Sequence, residues 1–181
     1  MQIFEKFKKI EEEMNSKFVE RGDEIHGISL AVISGTNILF LGPPGTSKSL
    51  MIRSYSSAIK GAKYFEQLLT KHSAPESLLG GPNLKFLKDE GKYHRVVTDM
   101  LPEAHFGFLD ETFKANAAIL NALLTLMNEK IFHDGDKLIK VPLISLIGAA
   151  NEIPEESDGL NAFYDRFHQK YMVSYIGLCK T

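Results

Sequence analysis

One cysteine, Cys179, is all the thiol chemistry the 181-residue chain has, so no disulfide can close within it and thiol-rich metal sites are excluded. It also lacks an excess of either charge. The formal net charge is −2 and the sequence pI is near 6.3, which leaves no basic footprint of the kind that draws proteins to nucleic-acid backbones or anionic membranes. Long hydrophobic runs are missing as well: "ISLAVIS" and "VPLISLIGAA" fall short of the roughly 18 residues a membrane-spanning helix needs. The amino terminus, "MQIFEKFKKIEEEMNSKF", carries charges where a signal peptide would be apolar. These absences together lead us to expect a soluble protein of a reducing, cytoplasmic compartment, with no membrane and no nucleic-acid partner indicated. The histidines form no H-E-x-x-H pattern and no G-x-S-x-G elbow occurs, so neither zinc-peptidase nor serine-hydrolase chemistry has a motif to rest on.

What is present is 44% hydrophobic residues, ample for one core in a chain of this length and thin for two, so residues 1–181 are expected to form a single domain. Phe4, Phe7, Ile10, Met14 and Phe18 recur at helical spacing among charges, which predicts an amphipathic helix over residues 4–20. A second helix is expected from about Asp23 to Ile33, ending near Gly35, and then "NILFL", a short apolar run typical of a strand buried on both faces. The next helix, within "SLMIRSYSSAIKGA", is expected to close at Gly61.

Between that strand and that helix lies "GPPGTSKS", residues 42–49. A P-loop has the pattern G-x-x-x-x-G-K-[ST]; here Gly42, Lys48 and Ser49 fit, and Ser47 stands where the second glycine belongs. Strand, Gly/Pro loop, helix is the context a phosphate cradle requires. The work is done by backbone N–H groups at the helix N-terminus, by the Lys48 charge and by the Ser49 hydroxyl as a magnesium ligand, and none of these uses the Ser47 side chain. Serine is small enough to be tolerated if its backbone lies near the helical region. An ordinary turn is the competing reading of such a loop. Downstream, "FGFLDE" (106–111) runs an apolar strand into two carboxylates, suited to a magnesium shell at Asp110 and a water-orienting base at Glu111, or simply to a polar strand end. A third apolar stretch, "PLISLIGAAN", ends on Asn151. Three strand ends bearing chemical groups suggest one site.

The sequence resembles the AAA+ ATPases, and among them the MoxR family, from about Ile25 to Val173, through "GPPGTSKS", "LPEAHFGFLDETFKANAAILNALLTLMNEKIF", "GAANEIP" and "YDRF". The resemblance implies that Gly42, Pro43, Pro44, Gly45, Thr46, Ser47, Lys48, Ser49 and Leu50 bind ATP or ADP. It further implies that Lys48 acts in catalysis and that Ser49 and Asp110 hold Mg2+. Glu111 would be the catalytic carboxylate of Walker B, Asn151 sensor 1, and Arg166 the arginine finger reaching a neighbouring subunit. An arginine near a helix end can equally be a surface ion-pair partner. The implied fold is a three-layer α/β P-loop core with a mostly parallel five-stranded sheet, the Asn151 strand lying between the P-loop and Walker B strands, with β-hairpin insertions. One hairpin is expected within "GPNLKFLKDEGKYHRVVTDMLPEAH", joined by "DEGK", where Phe86, Lys88, Tyr93 and Arg95 face a partner or bury one another. A second is expected at "HDGDK", after a helix from Ala117 to Glu129, and "KYMVSYIGLCKT" reads as the final strand.

The family also places a helical lid with a sensor 2 arginine after this core, whereas the sequence stops at Thr181, so the lid is expected to be absent here, either cut off or supplied by another polypeptide. The implied activity is magnesium-dependent ATP hydrolysis in a ring, expected to be a hexamer, that remodels or matures a protein partner such as one with a von Willebrand factor A domain. Two other readings stand beside it: a nucleotide-binding assembly module with little turnover, and a monomeric P-loop kinase. The kinase is disfavoured because only Arg53, Arg95 and Arg166 lie downstream of the loop, too few for the arginines such enzymes bring over the phosphates.

Overall fold

The structure is a computed structural model that describes residues 2–135, 137–154 and 160–177. In chain order its elements are α1 (Gln2–Lys17), α2 (Gly22–Ser34), β1 (Ile38–Leu41), α3 (Lys48–Ser57), β2 (Tyr64–Leu68), α4 (Glu76–Leu79) and α5 (Leu84–Glu90). There follow β3 (Phe106–Asp110), α6 (Ala117–Glu129), β4 (Ile131–Asp134), β5 (Lys137–Lys140), β6 (Ser145–Ala150), α7 (Asn161–Tyr164) and β7 (Gln169–Met172).

Five strands form one sheet in the order β2-β3-β6-β1-β7, with every neighbouring pair parallel. The three central strands are buried along almost their whole length because both faces are covered, which is why they read as continuous apolar runs. The period of two along β1 divides its side chains between the layers. Ile38 and Phe40 pack with Met14, Ile25, Ile28, Met51 and Ile52 from α1, α2 and α3, while Leu39 and Leu41 pack with Leu123, Leu126 and Met127 of α6 on the other face. The result is a three-layer α/β sandwich. Its parallel registers bring Leu41 of β1 beside Ala150 of β6, and Leu109 of β3 beside Gly148, so the loops after all three strands leave the same edge.

Several local expectations are corrected. Helix α1 ends at Lys17, and Phe4, expected on its apolar face, is exposed. Helix α3 ends at Ser57, before the turn containing Gly61. The segment after Pro82 is no hairpin. Asn83 accepts a hydrogen bond from the Phe86 amide and Gly91 adopts a left-handed cap with φ 66°, so the chain between them winds into α5, and among the described residues the flanking segments pair only through an isolated bridge of Pro82 with Arg95. The "HDGDK" turn does make a hairpin, β4 against β5, in a separate two-stranded sheet.

Candidate functional site

The loop between β1 and α3 is held by its neighbours before any ligand is considered. The Gly42 amide donates to Ala150 O at 3.0 Å, and a Cβ on Gly42 would lie 1.9 Å from Val173 O, so only glycine lets the loop cross the end of β7. The Thr46 hydroxyl donates to Pro43 O at 3.0 Å. Ser47 has φ 64° and ψ 18°, the left-handed region rather than the right-handed helical one, and costs the loop about 1 kcal/mol of strain that the usual glycine would avoid. Its carbonyl still accepts from the Met51 amide, starting α3.

Lys48 is buried, and its ammonium donates to Gly42 O at 2.7 Å and to Pro43 O at 2.9 Å, with Thr46 Oγ1 at 3.4 Å. Burial holds this ammonium below the ordinary lysine range, the Asp110 and Glu111 carboxylates draw it back up, and Arg21 pushes it down. At the end of β3, Asp110 Oδ1 accepts from the Glu111 amide at 2.9 Å. Glu111 itself is left-handed, φ 52° and ψ 44°, and its Oε1 accepts from Asn151 Nδ2 at 2.7 Å. A non-glycine residue in that conformation marks a position its surroundings over-determine.

An open cavity of about 270 Å³ gathers Pro44, Gly45, Thr46, Ser47, Lys48, Ser49, Asp110, Glu111 and Asn151 on its walls. Gly42 and Pro43 serve it through the carbonyls that hold the lysine. Leu50 is not among the residues that line it, and its side chain is largely exposed. Arg166 is exposed beyond α7, where buried Phe163 and Phe167 meet edge to face at 5.4 Å on either side of it, and it forms no ion pair among the described residues. The Ser49 hydroxyl and the Asp110 carboxylate face the same space, a sparse oxygen set that fits a magnesium ion keeping several waters and taking phosphate oxygens for the rest.

Three residues of the site carry no motif. Arg21, just before α2, is 5% exposed and reaches Thr46 O at 3.4 Å, Glu20 O at 2.8 Å and Ser174 O at 2.7 Å, linking the loop after β1 to the segment that follows β7. The buried Thr112 hydroxyl lies 2.7 Å from Leu109 O and 3.0 Å from Ala149 O, and accepts from the Ala149 amide at 3.1 Å, which clamps β3 to β6 beneath the acid pair. Lys114 pairs with Glu111 Oε2 at 3.3 Å. Their signals in the sequence are faint: a lone arginine before a helix, and a threonine and a lysine after two acids.

Among known proteins, the family model for the MoxR domain in the MoxR-vWA-beta-propeller ternary systems matches residues 5–179. Two uncharacterised proteins of Methanocaldococcus jannaschii are similar, one 48% identical over 180 residues (99% of this chain, 47% of the relative) and one 50% identical over 159 residues (88% and 42%). The chain thus spans less than half the length of these relatives. The crystal structure of a candidate ATPase from Cytophaga hutchinsonii superposes with a TM-score of 0.72 at 21% identity, over 97% of this chain and 52% of that one, and so shares the fold.

Proposed function

The chain belongs to the MoxR-domain family, and from that premise we propose that it binds ATP with Mg2+ at the carboxyl edge of its sheet and hydrolyses it to remodel or mature a protein partner. One observation carries this reading: Lys48, Ser49, Asp110, Glu111 and Asn151, drawn from three strand ends, line a single cavity. Backbone N–H groups of the loop and the N-terminus of α3 are placed to hold phosphate oxygens. Lys48 exchanges its two carbonyl partners for phosphate oxygens, a stronger, charge-assisted pairing. Ser49 and Asp110 hold the magnesium ion, which supplies neutralisation of charge on the transferring phosphoryl group. Glu111 orients the attacking water and accepts its proton, and Asn151 positions that carboxylate through the 2.7 Å hydrogen bond.

Arg166, exposed and remote from the cavity of its own subunit, acts in trans across a ring interface, with a hexamer as the expected ring. The partner is a protein with a von Willebrand factor A domain, in keeping with the ternary systems the family is described in. No helix among the described residues is long and apolar enough to cross a membrane, and we place the protein in the cytoplasm, with residues 1–181 as one ATPase core domain.

Calorimetry of ATP binding to wild type and Lys48→Ala, with phosphate release measured in parallel, tests the reading. Wild type binds and hydrolyses; Lys48→Ala loses affinity by at least about a hundredfold, since a desolvated ammonium facing phosphates has no substitute in the loop. Equal affinities would remove the phosphate role from this loop.

A further inference from the structure

Glu111 is held from both sides. Its Oε1 accepts from Asn151 Nδ2 at 2.7 Å, and its Oε2 is paired with the Lys114 ammonium at 3.3 Å. Lys114 lies in the 3-10 turn Thr112–Lys114, whose first amide-to-carbonyl link, Lys114 N to Glu111 O at 2.8 Å, fixes the spacing between cation and acid. A carboxylate that is to orient a water needs an oxygen turned towards it. Both oxygens of Glu111 are engaged, one by Asn151 and one by Lys114.

The position of the pair is as informative as its length. Glu111 and Asn151 form a wall shared by two cavities: the 270 Å³ space beside Lys48, and a neighbouring one of about 440 Å³ lined also by Phe113, Lys114, Glu152 and Ile153. Lys114 lines only the second. Filling the first with nucleotide therefore does not by itself displace Lys114 from Glu111.

Resting on the ATPase reading above, we infer that Lys114 is a positioning residue that holds Glu111 back: it restrains turnover from the cavity on the far side of the catalytic wall without touching nucleotide. Neutralising it frees Oε2, so kcat rises while nucleotide affinity stays the same. The pair is half-exposed, and such pairs withhold little, so the gain is about two- to fivefold.

The experiment is steady-state phosphate release with ATP affinity by calorimetry for wild type, Lys114→Met, Lys114→Arg, Glu111→Gln and the double variant Glu111→Gln/Lys114→Met. Lys114→Met is expected to raise kcat about two- to fivefold at unchanged KM and Kd, Lys114→Arg to behave as wild type, and the double variant to show no gain over Glu111→Gln. A Lys114→Met rate equal to or below that of wild type overturns the inference, and so does a gain that survives in the Glu111→Gln background. Failure of the underlying reading looks different: wild type itself then shows no ATP binding in the calorimeter, and the role assigned to Lys114 falls with it.

Discussion

The carboxyl edge of the sheet and the periphery formed by α5 and the β4–β5 hairpin are built on opposite terms. At the edge the loops after β1 and β3 are tied to the core: Gly42 to Ala150, Thr112 to Leu109 and Ala149, Arg21 to Thr46. At the periphery, α5 buries none of its residues, and Leu84 and Leu138 are 64% and 63% exposed. Among the described residues, Phe132 of β4 alone of these elements' apolar side chains reaches the core, and the remainder is held by a few polar links. Buried Asp134, at the end of β4, accepts from the Arg95 amide at 2.7 Å and meets His94 Nδ1 at 2.7 Å, and His94 stacks edge to face on Phe86 of α5 at 4.5 Å. A site that positions phosphates and a water within fractions of an ångström needs over-determined backbone, whereas a surface segment needs only enough anchors to keep its place.

That contrast can be broken at its strongest point. Gly42→Ala sets a Cβ against Val173 O at a left-sided φ of 154°, and is expected to destabilise the whole domain by about 3–5 kcal/mol, read as a large drop in thermal midpoint. A near-normal midpoint would show that the edge can give way and is not over-determined. A smaller effect is expected at the periphery's main anchor. Asp134→Ala orphans the Arg95 amide and removes the partner of His94, costing about 1–3 kcal/mol; hydrogen exchange should find the change concentrated at Arg95 and α5 rather than in β1, β3 and β6. Protection lost equally across the sheet would mean the two regions unfold as one. The smallest effect sharpens the comparison: Leu84→Ser, on the exposed face of α5, should move stability by no more than about 0.5 kcal/mol.

How far the residues spoke for themselves followed the same division. β1, β3 and β6 were legible because strands buried on both faces need continuous apolar runs, and their ends were marked by chemical groups at Lys48, Asp110 and Asn151. Helix α6 was legible to its ends, with Asn116 capping it by accepting from the Ile119 amide. β2 went unnamed, since an edge strand with half-buried Tyr64 and Glu66 carries no such run. The α5 segment was misread as a hairpin because scattered aromatics outweighed the short-range cap signals of Asn83 and Gly91. Thr112, Lys114 and Arg21 escaped notice for a different reason: each acts through a partner that only the folded chain brings near, Ala149, Glu111 and Thr46 respectively.

By itself, then, the sequence determined the buried strands, the loop that follows β1 and the kinds of groups presented at the strand ends, because burial on two faces and tight turns impose local composition. The fold decided what those groups face. That β6 lies between β1 and β3 is a non-local pairing, which the family resemblance implied and no short window of residues contains. The left-handed turns at Ser47 and Glu111 are strained choices that pay off only when α3, β3 and β6 are already packed around them. The ion pair of Lys114 with Glu111, facing a second cavity, likewise exists only because the turn after β3 packs beside Asn151 at the end of β6.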